Sequence, residues 1–125
     1  MSHFTKIDTK ITDILALLGA CAELGLEIRS NAKARGYGSN QRRGRYVIKL
    51  NGPYDIAVNP GGNGEWELET DFWNGHVEKE LGRNLGRLRQ GYAVHKTTAE
   101  AVKRGLRVRR KNLDNGRVRL ALCRV

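Results

Sequence analysis

The sequence predicts an α+β domain in the order β-α-β-β-β-β-α-β-β, a largely antiparallel sheet with two helices packed on one face. Three observations predict it. In residues 46–58 large apolar side chains recur at every second position on both sides of the turn "NGP", which reads as a meander. Between Leu81 and Val102 apolar residues recur at 4-3-4-3-4-3 spacing, the period of one helix face. The chain closes with "GLRVRRKNLDNGRVRLALCRV", two alternating runs around Asp-Asn-Gly, which reads as a hairpin. A length of 125 residues fits one domain, 1–125, with a modest core.

Taken in order, "HFTKIDTKI" sets Thr5, Ile7, Thr9 and Ile11 on one side and Lys6, Asp8 and Lys10 on the other, a strand. Thr12 or Asp13 caps a helix whose face is Ile14, Leu17, Leu18, Cys21 and Leu24, and Gly25 stops it. "LEIRS" is a short strand and "NAKARGYGSNQRRG" a polar, glycine-bearing loop. In "RYVIKL", Tyr46, Ile48 and Leu50 share a face; in "YDIAV", Tyr54, Ile56 and Val58 do. A three-residue loop pairs Leu50 with Tyr54, Ile48 with Ile56 and Tyr46 with Val58, and sets Lys49 opposite Asp55. After "NPGGNG" turns the chain, "EWELETDFW" points Trp66, Leu68 and Phe72 inward and Glu65, Glu67, Glu69 and Asp71 outward.

The second helix is expected from about residue 78 to 104, with Leu81, Leu85, Leu88, Tyr92, His95, Ala99 and Val102 on its buried face. Gly82, Gly86 and Gly91 weaken it by ~1 kcal/mol each relative to Ala. Thr97 and Glu100 form a capping-box pattern that allows a break near His95.

Two turns compete in the closing hairpin. A two-residue turn at Asn115-Gly116 puts Val108 on the face of Arg119. A three-residue loop, Asp114-Asn115-Gly116, pairs Leu113 with Arg117 and Lys111 with Arg119, with Gly116 left-handed. Leu106, Val108, Val118, Leu120 and Leu122 then form an apolar face, and Arg107, Arg109, Lys111, Arg117 and Arg119 a basic one. The second register is expected, because a sheet buries one consistent face.

The formal net charge is +10, unevenly placed. Residues 29–50 carry Arg29, Lys33, Arg35, Arg42, Arg43, Arg45 and Lys49 with no acid. Residues 51–80 hold seven acids against Lys79, and residues 101–125 nine basic groups against Asp114. Such an excess points to an anionic partner. Five like charges on one hairpin face repel unless neutralised, either internally by the strand carrying Glu65, Glu67, Glu69 and Asp71 or externally by a polyanion. Four acids cannot offset both the hairpin and the cluster of Arg42, Arg43 and Arg45. "RGYG" and "RRGR" join guanidinium, an aromatic ring and open backbone, which suits phosphate contact with Tyr37 stacking on a base; the alternative is a solvated flexible loop.

Other chemistry finds little footing. His3, His76 and His95 lack metal-ligand spacing, so no metal is expected, and His95 reads as a core histidine bonded to a carbonyl. Cys21 lies on an apolar helix face and Cys123 on the hairpin's basic face; two reduced thiols are expected and no catalytic residue is assigned. "PGGNG" lacks the lysine and following helix of a phosphate loop. No apolar run approaches ~18 residues, and "MSHFTKIDTK" has no apolar core of a signal peptide, so a cytoplasmic protein without a membrane partner is expected.

The segments "MSHFTKIDTKI", "RGY", "YVIKLNGPYDI", "WELETDFW" and "GYAVHKTTAEAVKRGLRV" occur in this order along nearly the whole chain. In this the protein resembles a family of small uncharacterised proteins encoded in cyanobacteria, red-algal plastid genomes and other bacteria. The resemblance implies a bacterial cytosol or plastid stroma, and supplies no activity, cofactor or catalytic residue. Genes for an AAA-type ATPase often neighbour the family, which implies an accessory role. The sequence lacks the family's "RGYRGQ" continuation, and its C-terminal hairpin is more basic than in plastid members.

The function expected is therefore a non-enzymatic, cofactor-free module binding RNA or DNA backbone. Arg107, Arg109, Lys111, Arg117 and Arg119 contact phosphates in this reading, and Arg42, Arg43 and Arg45 form a second clamp. The alternative is an adaptor docking on an acidic protein, such as an AAA-type ATPase, or on its own copies. A small enzyme using His95 or His3 ranks last.

Overall fold

The alternating residues 46–58 form the centre of a sheet. A computed structural model describes residues 3–125. Its main sheet contains β1 (Thr5–Lys6), β2 (Glu27–Arg35), β3 (Gln41–Lys49), β4 (Ile56–Pro60) and β5 (Trp66–Thr70) in the order β1-β5-β4-β3-β2, all neighbours antiparallel. The helices are α1 (Ile14–Glu23), α2 (His76–Leu81) and α3 (Gly86–Lys103). A separate two-stranded sheet, β6 (Leu106–Asn112) and β7 (Val118–Arg124), ends the chain. The protein is thus α+β with a largely antiparallel sheet.

The meander has the expected register, with Tyr46 opposite Val58 and Ile48 opposite Ile56. Its inner face joins Leu68 of β5 and meets Leu17, Ala20 and Cys21 of α1, with Val77, Leu81, Leu85, Leu88 and Tyr92 from the second helical region. Each fully buried Leu, Ile or Val here stabilises the fold by roughly 1.5–3 kcal/mol. The Asp13 carboxylate caps α1 by accepting the Ala16 N–H. Tyr92 holds α3 to that same end, its hydroxyl accepting the N–H groups of Thr12 and Asp13 at 3.0 and 3.2 Å.

The strand expected over residues 3–11 is shorter. Ile7 donates to Leu68, and Ile11 bridges Trp66, so four residues on one side span two on the other. The surplus residues leave the ladder, and β1 stops at Lys6.

The expected loop over residues 31–44 is mostly strand. β2 and β3 pair out to Arg35 opposite Gln41, leaving a turn over residues 36–40. Asn31 takes φ 49, and both strands change face around it and Gly44. The outer half of this hairpin, called the arm below, therefore folds back over the sheet's second face. Ala32, Ala34 and Phe4 there cover Val47 and Ala57. Small side chains permit the close approach; their short, polar-looking sequence resembles a loop.

The long second helix is interrupted at residues 82–85, not near His95. Gly82 and Asn84 accept positive φ readily. Leu85 also has φ 57, and its full burial offsets the strain. The apolar stripe holds through Tyr92, then turns: Val94 and Ala101 are buried, whereas Ala99 and Val102 are exposed. The reason is the hairpin, which docks along that rotated face of α3. No helix among the described residues is long and apolar enough to cross a membrane.

Candidate nucleic-acid interface

The hairpin has the three-residue loop. Lys111 lies opposite Arg119, the Leu113 N–H donates to the Arg117 carbonyl at 2.8 Å, and Gly116 has φ 83. Leu106, Val108, Val118 and Leu120 are half-buried, while Arg107, Arg109, Lys111, Arg117 and Arg119 share the other face in solvent. The basic face exists as a surface.

Arg110 does something different. Its place in the register turns it toward the helices with the apolar residues, opposite Leu120. There its guanidinium grips the Glu23 carboxylate through two hydrogen bonds of 2.8 and 2.6 Å. His95 lies between α1 and α3 with Nε2 3.1 Å from the same carboxylate. It is half-buried against a side-chain acid, not enclosed in the helix–sheet core against a carbonyl. The Arg110 guanidinium holds the Glu23 carboxyl down to about 2 against the opposing effect of burial, with a lesser contribution from His95. The Gln90 amide adds a bond to the Gly116 carbonyl at 2.9 Å. A groove of about 610 Å3 remains beneath the hairpin, between the ends of α1 and α3. The sequence signal for this docking was an arginine in the middle of a largely apolar face; its acid is 87 positions away.

The acidic strand does not lie beside the hairpin. β5 sits between β1 and β4, where Glu67 pairs with Lys6 and Glu69 with Arg42 at 3.0 Å. Asp71, expected outward, is fully buried and accepts the N–H groups of Tyr37 and Trp73, both at 2.9 Å. Asp55 does oppose Lys49, at 3.0 Å, but it too is fully buried. It also accepts the Arg35 guanidinium and the backbone N–H groups of Arg35 and Leu50. Burial works against the Asp55 carboxylate, yet these donors, Arg35 foremost, leave its pKa below the ordinary value. Asp55 and Asp71 together fasten the arm's end to the sheet.

Glu67, Glu69, Asp71 and Asp55 are thus committed elsewhere. Among the described residues no carboxylate lies within ion-pair distance of Arg107, Arg109, Lys111, Arg117 or Arg119, nor of Arg43 or Arg45. Arg42, Arg43 and Arg45 stand on β3 rather than on a loop, and Arg42 is the member with an internal partner. Tyr37 is in the arm's turn, half-exposed. The structure does not join the two basic blocks. The hairpin is attached to the helical layer, the arm to the opposite face of the sheet.

Cys21 is buried, and that burial pushes its thiol up to about 12, so it stays protonated in the core. Cys123 is exposed and free. His76 stacks edge-on against Tyr54, away from His95. Among the described residues no three His, Cys, Asp or Glu side chains gather as a metal site does.

Fold and surface together define a small α+β domain with a cationic hairpin docked on its helical side. Residues 20–121 match a family described as a protein of unknown function, DUF1257, and the chain belongs to that family. Neither the curated proteins nor the solved structures contain a match to it.

Proposed function

We propose that the protein is a non-enzymatic module that binds the backbone of RNA or DNA on the outer face of its C-terminal hairpin. The supporting observation is the charge accounting: five cations share one exposed face, and among the described residues no carboxylate pairs with any of them, while Glu67, Glu69, Asp55 and Glu23 pair with other cations. Evenly spaced arginines on a strand meet phosphates more readily than base edges, so sequence preference is weak. The setting proposed is the cytosol or plastid stroma.

The test titrates labelled single-stranded RNA and duplex DNA across a salt series. Log affinity falls against log salt with a slope of about −0.7 to −0.9 per phosphate neutralised. Replacing Arg107, Arg109, Arg117 and Arg119 by Gln weakens binding to all sequences alike and flattens that slope. Undetectable binding of both polymers at low salt rejects the proposal. The second reading, docking on an acidic protein such as an AAA-type ATPase or on a second copy, draws on Leu122, exposed at the edge of the hairpin's apolar face. It predicts loss of a protein partner in the same variant.

A further inference from the structure

Apart from the basic hairpin, the surface of the described residues carries one pair of exposed large aromatic rings. Tyr37 and Trp73 are 47% and 46% exposed, with ring centroids 5.5 Å apart and planes inclined at 63°. They come from unrelated segments, Tyr37 from the turn that ends the arm and Trp73 from the short 3-10 turn Trp73–Gly75. One buried carboxylate positions both: Asp71 accepts the backbone N–H of Tyr37 and that of Trp73. The mounting beneath is rigid. Phe4 packs so closely on Gly36 that an added Cβ there would meet its ring at 2.8 Å, and the Arg35–Asp55 ion pair anchors the preceding residue. Two aromatics with half their surface in water, fixed from below by a buried acid, form a preorganised platform for a third planar ring.

The surrounding charge selects the ring's owner. Lys33 and Arg43 are cross-strand neighbours on the arm and have no acidic partner among the described residues. Lys33 is on β2, which ends at Arg35, two residues before Tyr37, so cations and ring belong to the same arm. An exposed ring pair on an arm that also carries unpaired cations suits nucleobases joined to phosphates. A base in a duplex is already stacked on both faces, so only an unpaired one can use the platform.

We infer that Tyr37 and Trp73 form a stacking site for an unpaired base of single-stranded RNA or DNA, with Lys33 and Arg43 holding phosphates farther along the same strand. This rests on the nucleic-acid reading above and adds a preference for single strands, located on the arm rather than the hairpin.

The experiment measures binding of the full chain to three probes of equal length: a single-stranded oligonucleotide, the same backbone with abasic sites, and a duplex. Wild type prefers the intact single strand to the abasic one. Trp73→Leu and Tyr37→Leu each lower single-strand affinity about 5- to 150-fold, the range for losing one base–aromatic stack, and leave duplex affinity unchanged. Trp73→Phe keeps most of the single-strand affinity, which separates stacking from a folding defect. Equal binding of intact and abasic strands by wild type, or wild-type affinity in both Leu variants, overturns the inference while the hairpin proposal stands. Failure of wild type to bind any probe overturns both.

Discussion

Asp55 carries a structural duty unusual for a carboxylate, since it is fully buried and its partners are the arm's Arg35 and the sheet's Lys49. Asp55→Ala leaves Arg35 and Lys49 without their acid and frees the Leu50 N–H. Both cations keep some access to water, so the loss falls at the low end for a broken buried pair, about 3 kcal/mol. Urea unfolding checks this through a lower midpoint at unchanged slope. Because the Asp55 pKa is depressed in the folded state, its contribution is complete above the ordinary carboxylate range and fades as pH falls through the folded value. Glu23 follows the same sign on a more exposed site. Its contribution is present above the ordinary value near ~4.3 and is lost as pH falls through about 2. Carboxyl NMR titration should show Glu23 protonating near that lower value, and Glu23→Gln should return Arg110 to solvent. Solvent screening limits the stability lost to below ~1 kcal/mol.

The arm and the hairpin are both antiparallel pairs, yet they respond differently to substitution. A Cβ at Gly44 would stand 2.4 Å from the Tyr46 carbonyl oxygen, inside the bend that folds the arm over the sheet. Gly44→Ala should cost about 1–3 kcal/mol and open the arm first. Hydrogen exchange should then show protection lost over residues 31–45 before the meander. Gly116 has open space around it, so Gly116→Ala meets only the strain of its positive φ, about 1 kcal/mol. Much of the 31–45 segment reads as loop because Ala, Gly and Arg give no apolar alternation, and its extended form depends on Val47, on Ala57 of β4 and on two buried acids, Asp55 and Asp71, that flank β4 and β5.

The whole molecule divides unequally. The main core ends in sequence at Tyr92, and no residue of β6 or β7 belongs to it. Deleting residues 105–125 removes seven basic residues and uncovers Val94 and Ala101 on α3, but leaves the sheet–helix core complete. The shortened chain should therefore still unfold in one cooperative transition, at a modestly lower temperature, and calorimetry can show it. A chain unfolded without the hairpin would refute this division. The proposed function makes the same cut: backbone binding should go with the deleted hairpin, and single-strand preference should remain with the arm.

The registers of the meander and the closing hairpin could be read from residues alone. A period of two has one phase that buries a consistent face, and turn length and Gly116 chose that phase. The basic face of Arg107, Arg109, Lys111, Arg117 and Arg119 came with the hairpin register for the same local reason. Other features were set by contacts between distant segments. The ion pair of Arg110 with Glu23, the burial of Asp71 beneath Tyr37 and Trp73, and the face change at Asn31 each need a partner far along the chain. The placement of His95 between two helices has the same origin. Alternation assigns a side chain to one of two faces, but a charged residue assigned outward can still be buried when a distant segment folds over it with enough donors to satisfy its oxygens.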